Sequence, residues 1–212
     1  HPFLTWYFNS ILLVAMRLGL SLFFCSLGGF ALAKYDFPFK NLILLVVVSS
    51  LMIPFQLLII PLFLTLYSLK LVNTRIGVIL PWAASPFGIF MMRQYYISIP
   101  DEFIDAAKID GATGFWIYLH IMLPLGKAAL GTLAVVLFVW TWISFIWPLV
   151  ILFSPEKYPL PLGLTNMVGE LSVHPIWGEI LAGAVMATFP VVILFVFIQR
   201  YYIRGLMLGG LK

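Results

Sequence analysis

Long apolar runs alternate with short polar segments along the whole chain. A helix needs about 20 mostly apolar residues to cross the hydrocarbon core of a bilayer. Five windows meet or approach that length: Phe8–Ala33, Leu42–Leu66, Ile76–Met92, Ala128–Phe153 and Ile180–Ile198. The only formal charge inside these windows is that of Arg17. We therefore predict an all-α integral membrane protein, a polytopic helical bundle with five spans.

Prolines interrupt four of the five windows. They are Pro54, Pro61, Pro81, Pro86, Pro148 and Pro190. Helices in lipid tolerate proline where neighbouring helices satisfy the carbonyl groups that it leaves free. This density of proline predicts bent, closely packed helices and not a simple membrane anchor.

The composition agrees with a lipid environment. The 212 residues are 63% hydrophobic and 9% charged, whereas a soluble domain carries about 25% charged residues. The formal net charge of +4 does not indicate a nucleic-acid partner, because the basic residues are scattered along the chain. The single cysteine, Cys25, excludes an internal disulfide.

The positions of Lys and Arg predict the orientation in the membrane, because cytoplasmic loops carry an excess of both. With segment 98–125 in the cytoplasm, eight of the twelve basic residues lie inside and three outside, while Arg17 lies in a span. Segment 154–179, which contains four prolines, is then an extracytoplasmic loop. Residue 1 is His and lies outside, so we expect a further span upstream.

The cytoplasmic segment begins with "SIPDEFIDAAKIDG", which has the features of a short helix. Ser98 is expected to cap its N-terminus, and Gly111 is expected to end it in the left-handed conformation. Thr113 is expected to cap a second short helix before Pro124.

One face of the first short helix is predicted to be flat. The residues at i, i+3, i+4 and i+7 on this face are Phe103, Ala106, Ala107 and Asp110. Two alanines side by side let another surface approach closely. Spacing alone leaves two interpretations, a solvated loop helix or a docking helix.

The longer stretch "DAAKIDGATGFWIYLHIMLPL" resembles the EAA loop of permease subunits of binding-protein-dependent ABC importers, with the pattern E-A-A-x-x-D-G-A and then I-x-L-P-L. The matching residues include Asp105, Ala106, Ala107, Asp110, Gly111, Ala112, Leu123 and Pro124. The segments before this loop and at the C-terminus are similar to the carbohydrate branch, the latter to its second permease subunit. Asp105 stands for the usual Glu, Ala128 for a common Pro, and Ile143-Ser144 for a common Asn-Asp pair.

The resemblance implies one importer transmembrane domain over residues 1–212, in the cytoplasmic membrane of a bacterium or archaeon. It would form half of the pathway of an ATP-driven sugar or oligosaccharide importer. The implied partners are a second permease subunit, an ATPase dimer that the 98–125 loop contacts, and an extracytoplasmic substrate-binding protein.

No cofactor or metal is expected on this chain. Gly126-Lys127 lacks the upstream glycine and the following hydroxyl residue of a phosphate-binding loop. We therefore expect ATP and Mg²⁺ to bind to the partner ATPase.

Four residues are candidates for the substrate pathway. Trp140, Ser144 and Trp147 fall on one face of the fourth window, where they suit either a sugar or ordinary helix packing with a tryptophan belt. Arg17 lies about 14 Å into the first window at 1.5 Å per residue, where a guanidinium costs at least about 2.5 kcal/mol. It either snorkels to a surface or faces the interior. In the interior it would bond to freed carbonyls, pair with a carboxylate of the partner permease, or line a passage for an anionic sugar.

Other functions remain as alternatives. An importer for another small solute fits the same loop. An ion-coupled transporter or a channel is a different class, and coupled carriers usually contain membrane-embedded Asp or Glu, which the five windows lack.

Overall fold

The computed structural model describes residues 2–170 and 177–209, and the side chains of residues 2–167 and 177–197. In these ranges the chain is helical and contains no β-strand, as predicted. The α-helices are α1 (Phe3–Lys34), α2 (Lys40–Ser50), α3 (Phe55–Ser68), α4 (Arg75–Ile79), α5 (Pro86–Ile97), α6 (Glu102–Ile109), α7 (Gly114–Ile117), α8 (Leu123–Leu125), α9 (Lys127–Trp142), α10 (Ile146–Ile151), α11 (Leu160–Glu170) and α12 (Trp177–Gly209). Two 3₁₀ turns, Leu80–Trp82 and Pro155–Lys157, and a π-helix, Tyr118–Met122, lie between them.

The described residues provide two helices that could cross a membrane alone and up to five spans in total. The first is α1, with 32 residues, and the second is the Trp177–Phe197 part of α12. Three further spans arise if each bent pair of helices counts as one, with bends of 108° between α2 and α3, 43° at residues 83–85, and 77° before α9. The predicted five spans are compatible with this arrangement.

The second and fourth predicted windows are not continuous helices, and proline explains both breaks. The residue before a proline avoids the helical conformation, so α2 ends before Pro54 and α3 starts after it. Pro148 cannot donate to the carbonyl of Ser144, and its ring clashes with that carbonyl. Helix α9 accordingly ends at Trp142 and α10 begins at Ile146, so the fourth window contains two helices.

The long helix α1 is the centre of the packing, and it lies mainly against α5 and α9. The backbones of α1 and α5 meet closely at Gly29, where a Cβ atom would lie 2.7 Å from Cβ of Met92. Small residues allow such close approach of helices in membranes. The largest buried cluster extends from this contact to Tyr96 of α5, Leu133 of α9 and the π-helix.

Candidate functional sites

Helix α6 ends in a Schellman motif, which confirms the expected left-handed stop. Gly111 has φ +78°. Its N–H donates to the carbonyl of Lys108 at 3.0 Å, and the N–H of Ala112 donates to that of Ala107 at 2.9 Å. These two bonds satisfy carbonyls that the helix end leaves free. The chain then reverses, and Thr113 caps α7 as predicted by accepting the N–H of Trp116 at 3.3 Å.

The start of α6 differs from the prediction. Ser98 does not cap it, since its hydroxyl donates to the carbonyl of Tyr95 at 2.7 Å. Instead, Lys34 at the end of α1 donates to the carbonyl of Ile99 and pairs with the carboxylate of Asp101. The hydrogen bond from Lys34 and its charge lower the pKa of Asp101 below the usual value. A contact from another helix therefore positions the start of α6.

A cleft with a volume of about 560 Å³ lies beside α6 and α7, and we call it the loop cleft. It is lined by Phe103, Ala106, Ala107, Asp110, Gly111, Ala112, Thr113, Trp116 and Ile121. All four residues of the predicted flat face are among them. The loop cleft is open to an incoming surface, and its lining is mostly apolar.

The two alanines of the predicted face have different roles. Ala107 is 7% exposed and packs with Ile104 into the main core, so it forms the floor of the loop cleft. Ala106 is exposed, and so is half of Phe103. Of the two alanines, Ala106 is therefore the exposed one, whereas Ala107 lines only the floor of the loop cleft.

The remaining residues of the EAA-like motif lie at the edges of this region. Asp105 is exposed and pairs with Lys108 at 3.5 Å. Leu123 packs on the main core and Pro124 is exposed, and neither lines the loop cleft. They form the short helix that precedes the 77° bend into α9.

A second cavity, of about 500 Å³, lies beside Arg17, about halfway along α1, and we call it the central cavity. It is lined by Arg17, Phe55, Trp82, Trp140, Ile143, Ser144, Phe145, Ile146 and Trp147. The four candidate pathway residues thus lie around one cavity. They do not share one helix face as predicted, because Trp140 is on α9, Ser144 is in the break after it, and Trp147 is on α10.

Sequence reasoning missed other residues of the central cavity, notably Phe55 and Trp82. Each directly follows a proline, Pro54 or Pro81. Proline breaks helices, and broken helices at membrane depth line cavities or are buried in protein. An aromatic residue next to a proline inside an apolar window was the pattern that could have identified these cavity residues.

Arg17 faces the interior of the bundle and is only 7% exposed, so it does not snorkel to a surface. Its guanidinium carbon lies 5.5 Å from the centre of the Trp82 ring, a cation–π contact. Its Nε atom is buried without a hydrogen-bond partner among the described residues. Two carbonyls near the break in the third span accept hydrogen bonds from other groups, that of Trp82 from Ser21 at 2.7 Å and that of Ser85 from Cys25 at 3.4 Å.

The N-terminal end of α1, opposite to Lys34, holds segment 154–179, whose residues 171–176 lie outside the described ranges. Asn9 donates to the carbonyls of Glu156 at 2.8 Å and Tyr158 at 3.0 Å. The hydroxyl of Ser10 accepts the N–H of Leu160 at 2.7 Å. Sequence reasoning missed both anchors, although polar residues inside an apolar window were a signal for them.

Comparison with known proteins agrees with this architecture. Residues 26–207 match the family described as binding-protein-dependent transport system inner membrane component. The chain is 44% identical over 208 residues to the arabinooligosaccharides transport system permease protein AraQ of Halalkalibacterium halodurans, covering 98% of this chain and 74% of that protein. It is 32% identical over 211 residues to the lactose transport system permease protein LacG of Rhizobium radiobacter, covering 100% and 76%.

A solved structure has the same fold. A chain from the crystal structure of a bacterial ABC transporter involved in the import of the acidic polysaccharide alginate matches with a TM-score of 0.82 and 29% identity, over 94% of this chain and 75% of that chain. The resemblance drawn from the EAA-like motif and the all-α membrane fold are both confirmed. This chain belongs to the family of binding-protein-dependent transport system inner membrane components and is an ABC importer permease subunit.

Proposed function

We propose that this chain forms half of the translocation pathway of an ATP-driven oligosaccharide importer in a bacterial or archaeal cytoplasmic membrane. Relatives named for arabinooligosaccharide and lactose transport support a saccharide substrate. Family membership favours this function over an ion-coupled carrier or a channel. A second permease subunit completes the pathway, and a separate ATPase dimer binds ATP and Mg²⁺.

The 98–125 loop receives the mechanical input from the ATPase. The observation that carries this proposal is the loop cleft, which places exposed Phe103, Ala106 and Trp116 around a concave apolar surface. A groove on the ATPase that receives α6 would bury these groups. Ile104 and Ala107 pack α6 against the main core. A displacement of α6 by the ATPase therefore moves the packed helices as a rigid body.

The two ends of α1 hold the two segments that meet soluble partners. Lys34 holds the start of α6, and Asn9 and Ser10 hold segment 154–179, which we assign to the substrate-binding protein. Lys34 follows Asn9 by 25 positions, which correspond to about 38 Å of helix at 1.5 Å per residue. One rigid helix thus links the binding-protein side to the ATPase side.

The test is Ala106→Trp in the reconstituted importer. The indole would fill the loop cleft without entering the core, so the permease should still insert and pair with its partner. Co-purification of the ATPase and ATP hydrolysis stimulated by loaded binding protein should both fall sharply. Ala182→Trp is the matched control, because Ala182 is exposed on α12, far along the chain from the loop. Normal stimulation in Ala106→Trp would refute the docking assignment.

A further inference from the structure

Three breaks in membrane-spanning helices meet at the central cavity. Phe55 follows the break between α2 and α3, Trp82 lies in the 3₁₀ turn before α5, and residues 143–145 separate α9 from α10. Non-helical backbone at membrane depth is tolerated where it is buried in protein or lines a watery cavity. Secondary transporters commonly bind their substrates at discontinuous helices of this kind. The convergence therefore indicates a binding site and not only bent packing.

The charge of the cavity wall is positive, and the cation–π contact with Trp82 offsets only part of it. Arg17 is the single charged residue in the described lining, which contains no Asp or Glu. Its Nε atom is fully buried without a hydrogen-bond partner among the described residues. A buried charge is normally paired. A ligand with a carboxylate would supply the missing partner, because a guanidinium and a carboxylate form two parallel hydrogen bonds.

The rest of the wall suits the apolar faces of sugar rings. Trp147 is held rigidly, with its indole N–H shared between the carbonyls of Gly77 and Val78 at 3.3 and 3.2 Å. Trp140 is 44% exposed and leans on Phe87, with ring centres 5.3 Å apart. Ser144 adds a polar residue to the lining. The volume of about 500 Å³ lies within the usual range for small-ligand sites, about 300–1,000 Å³.

We propose that the central cavity is a saccharide subsite of the pathway that prefers sugar units bearing a carboxylate, with Arg17 as its anion-binding group. The exposed ring of Trp140 holds the sugar, buried Trp147 backs the wall, and Arg17 selects the acid. The inference rests on the proposed oligosaccharide import and narrows its substrate class to acidic saccharides. The competing occupant of Arg17 is a carboxylate of the partner permease.

The experiment measures direct binding to the complete importer complex in nanodiscs, without the binding protein, by equilibrium dialysis. The probes are labelled trigalacturonic acid and neutral galactotriose of the same linkage. The wild-type complex should bind the acid roughly tenfold or more tightly than the neutral sugar, the gain expected from a charge-assisted hydrogen bond. Arg17→Gln should abolish this preference, and Arg17→Lys should keep part of it.

Trp140→Ala tests the stacking half of the site, with Trp177→Ala as its control, because Trp177 is exposed on α12 and outside the cavity. Trp140→Ala should weaken binding of both probes equally, and Trp177→Ala should change neither. A wild-type complex without acid preference, or a preference that survives in Arg17→Gln, would overturn the proposal. If Arg17→Gln does not assemble, the wild type and Arg17→Lys decide, and equal acid and neutral binding in both assigns Arg17 to the partner permease.

ATP-driven uptake in proteoliposomes separates this inference from the proposed function. A complex that imports neutral oligosaccharides but shows no acid preference leaves the proposed function intact and removes the acidic subsite. A complex without ATP-driven uptake of any saccharide removes the proposed function itself.

Discussion

Replacement of Gly111 isolates the backbone requirement of the coupling loop. Gly111 has φ +78°, and a Cβ atom there would meet no heavy atom within 4 Å. The cost of a side chain is therefore conformational and not steric, about 1–2 kcal/mol for an ordinary residue in the left-handed region. If the backbone escapes that cost by changing conformation, it loses the two Schellman bonds from Gly111 and Ala112, each worth about 1 kcal/mol.

Gly111→Val should consequently unwind the end of α6 and reshape the loop cleft. Gly111→Asn should be tolerated, because Asn adopts the left-handed conformation more readily than other non-glycine residues. Gly131→Val is the matched control, since Gly131 lies in α9 with ordinary helical geometry, and a Cβ atom there would also meet no heavy atom within 4 Å.

The assay is ATP hydrolysis stimulated by loaded binding protein, with substrate uptake, in proteoliposomes that contain equal amounts of complex. Gly111→Val should lose most of the stimulation, while Gly111→Asn and Gly131→Val should resemble the wild type. Stimulation at the wild-type level in both Gly111→Val and Gly111→Asn would refute the reasoning, because it would show that the left-handed stop does not matter for coupling.

Three further predictions concern contacts that the structure shows. Lys34→Met should reduce stimulated ATP hydrolysis. Since Lys34 lowers the pKa of Asp101, the ion pair persists above the ordinary carboxyl pKa and is lost only as pH falls through the lowered value. The ratio of wild-type to mutant ATP hydrolysis should therefore stay constant over about pH 5–8. Gly29→Leu should destabilise the α1–α5 contact by about 1–3 kcal/mol and lower the Tm of the purified permease, whereas Gly19→Leu, with open space at Gly19, should not. Asn9→Ala should leave basal ATP hydrolysis unchanged but weaken its stimulation by the binding protein, and unchanged stimulation would argue against the anchoring of segment 154–179.

The sequence by itself determined the class of the protein and its conformationally special positions. Apolar runs of span length predict a helical membrane protein, because lipid leaves backbone groups no partners outside helices and closed barrels. Gly111 could be assigned a left-handed conformation because glycine adopts it without the cost that a Cβ imposes. Thr113 could be assigned as a cap because its partner lies three residues away. Each of these inferences depends on local chemistry or on solvent.

The tertiary structure decided which way each surface faces and which residues distant in sequence contact each other. Periodicity placed Ala106 and Ala107 on one face but could not tell that Ala107 packs inward. The pair of Lys34 and Asp101 joins residues 67 positions apart, so no local pattern could replace the wrongly assigned Ser98 cap. The central cavity exists because separate helix breaks converge on Arg17. Such convergence depends on how helices distant in sequence pack, which the hydrophobic pattern along the chain does not specify.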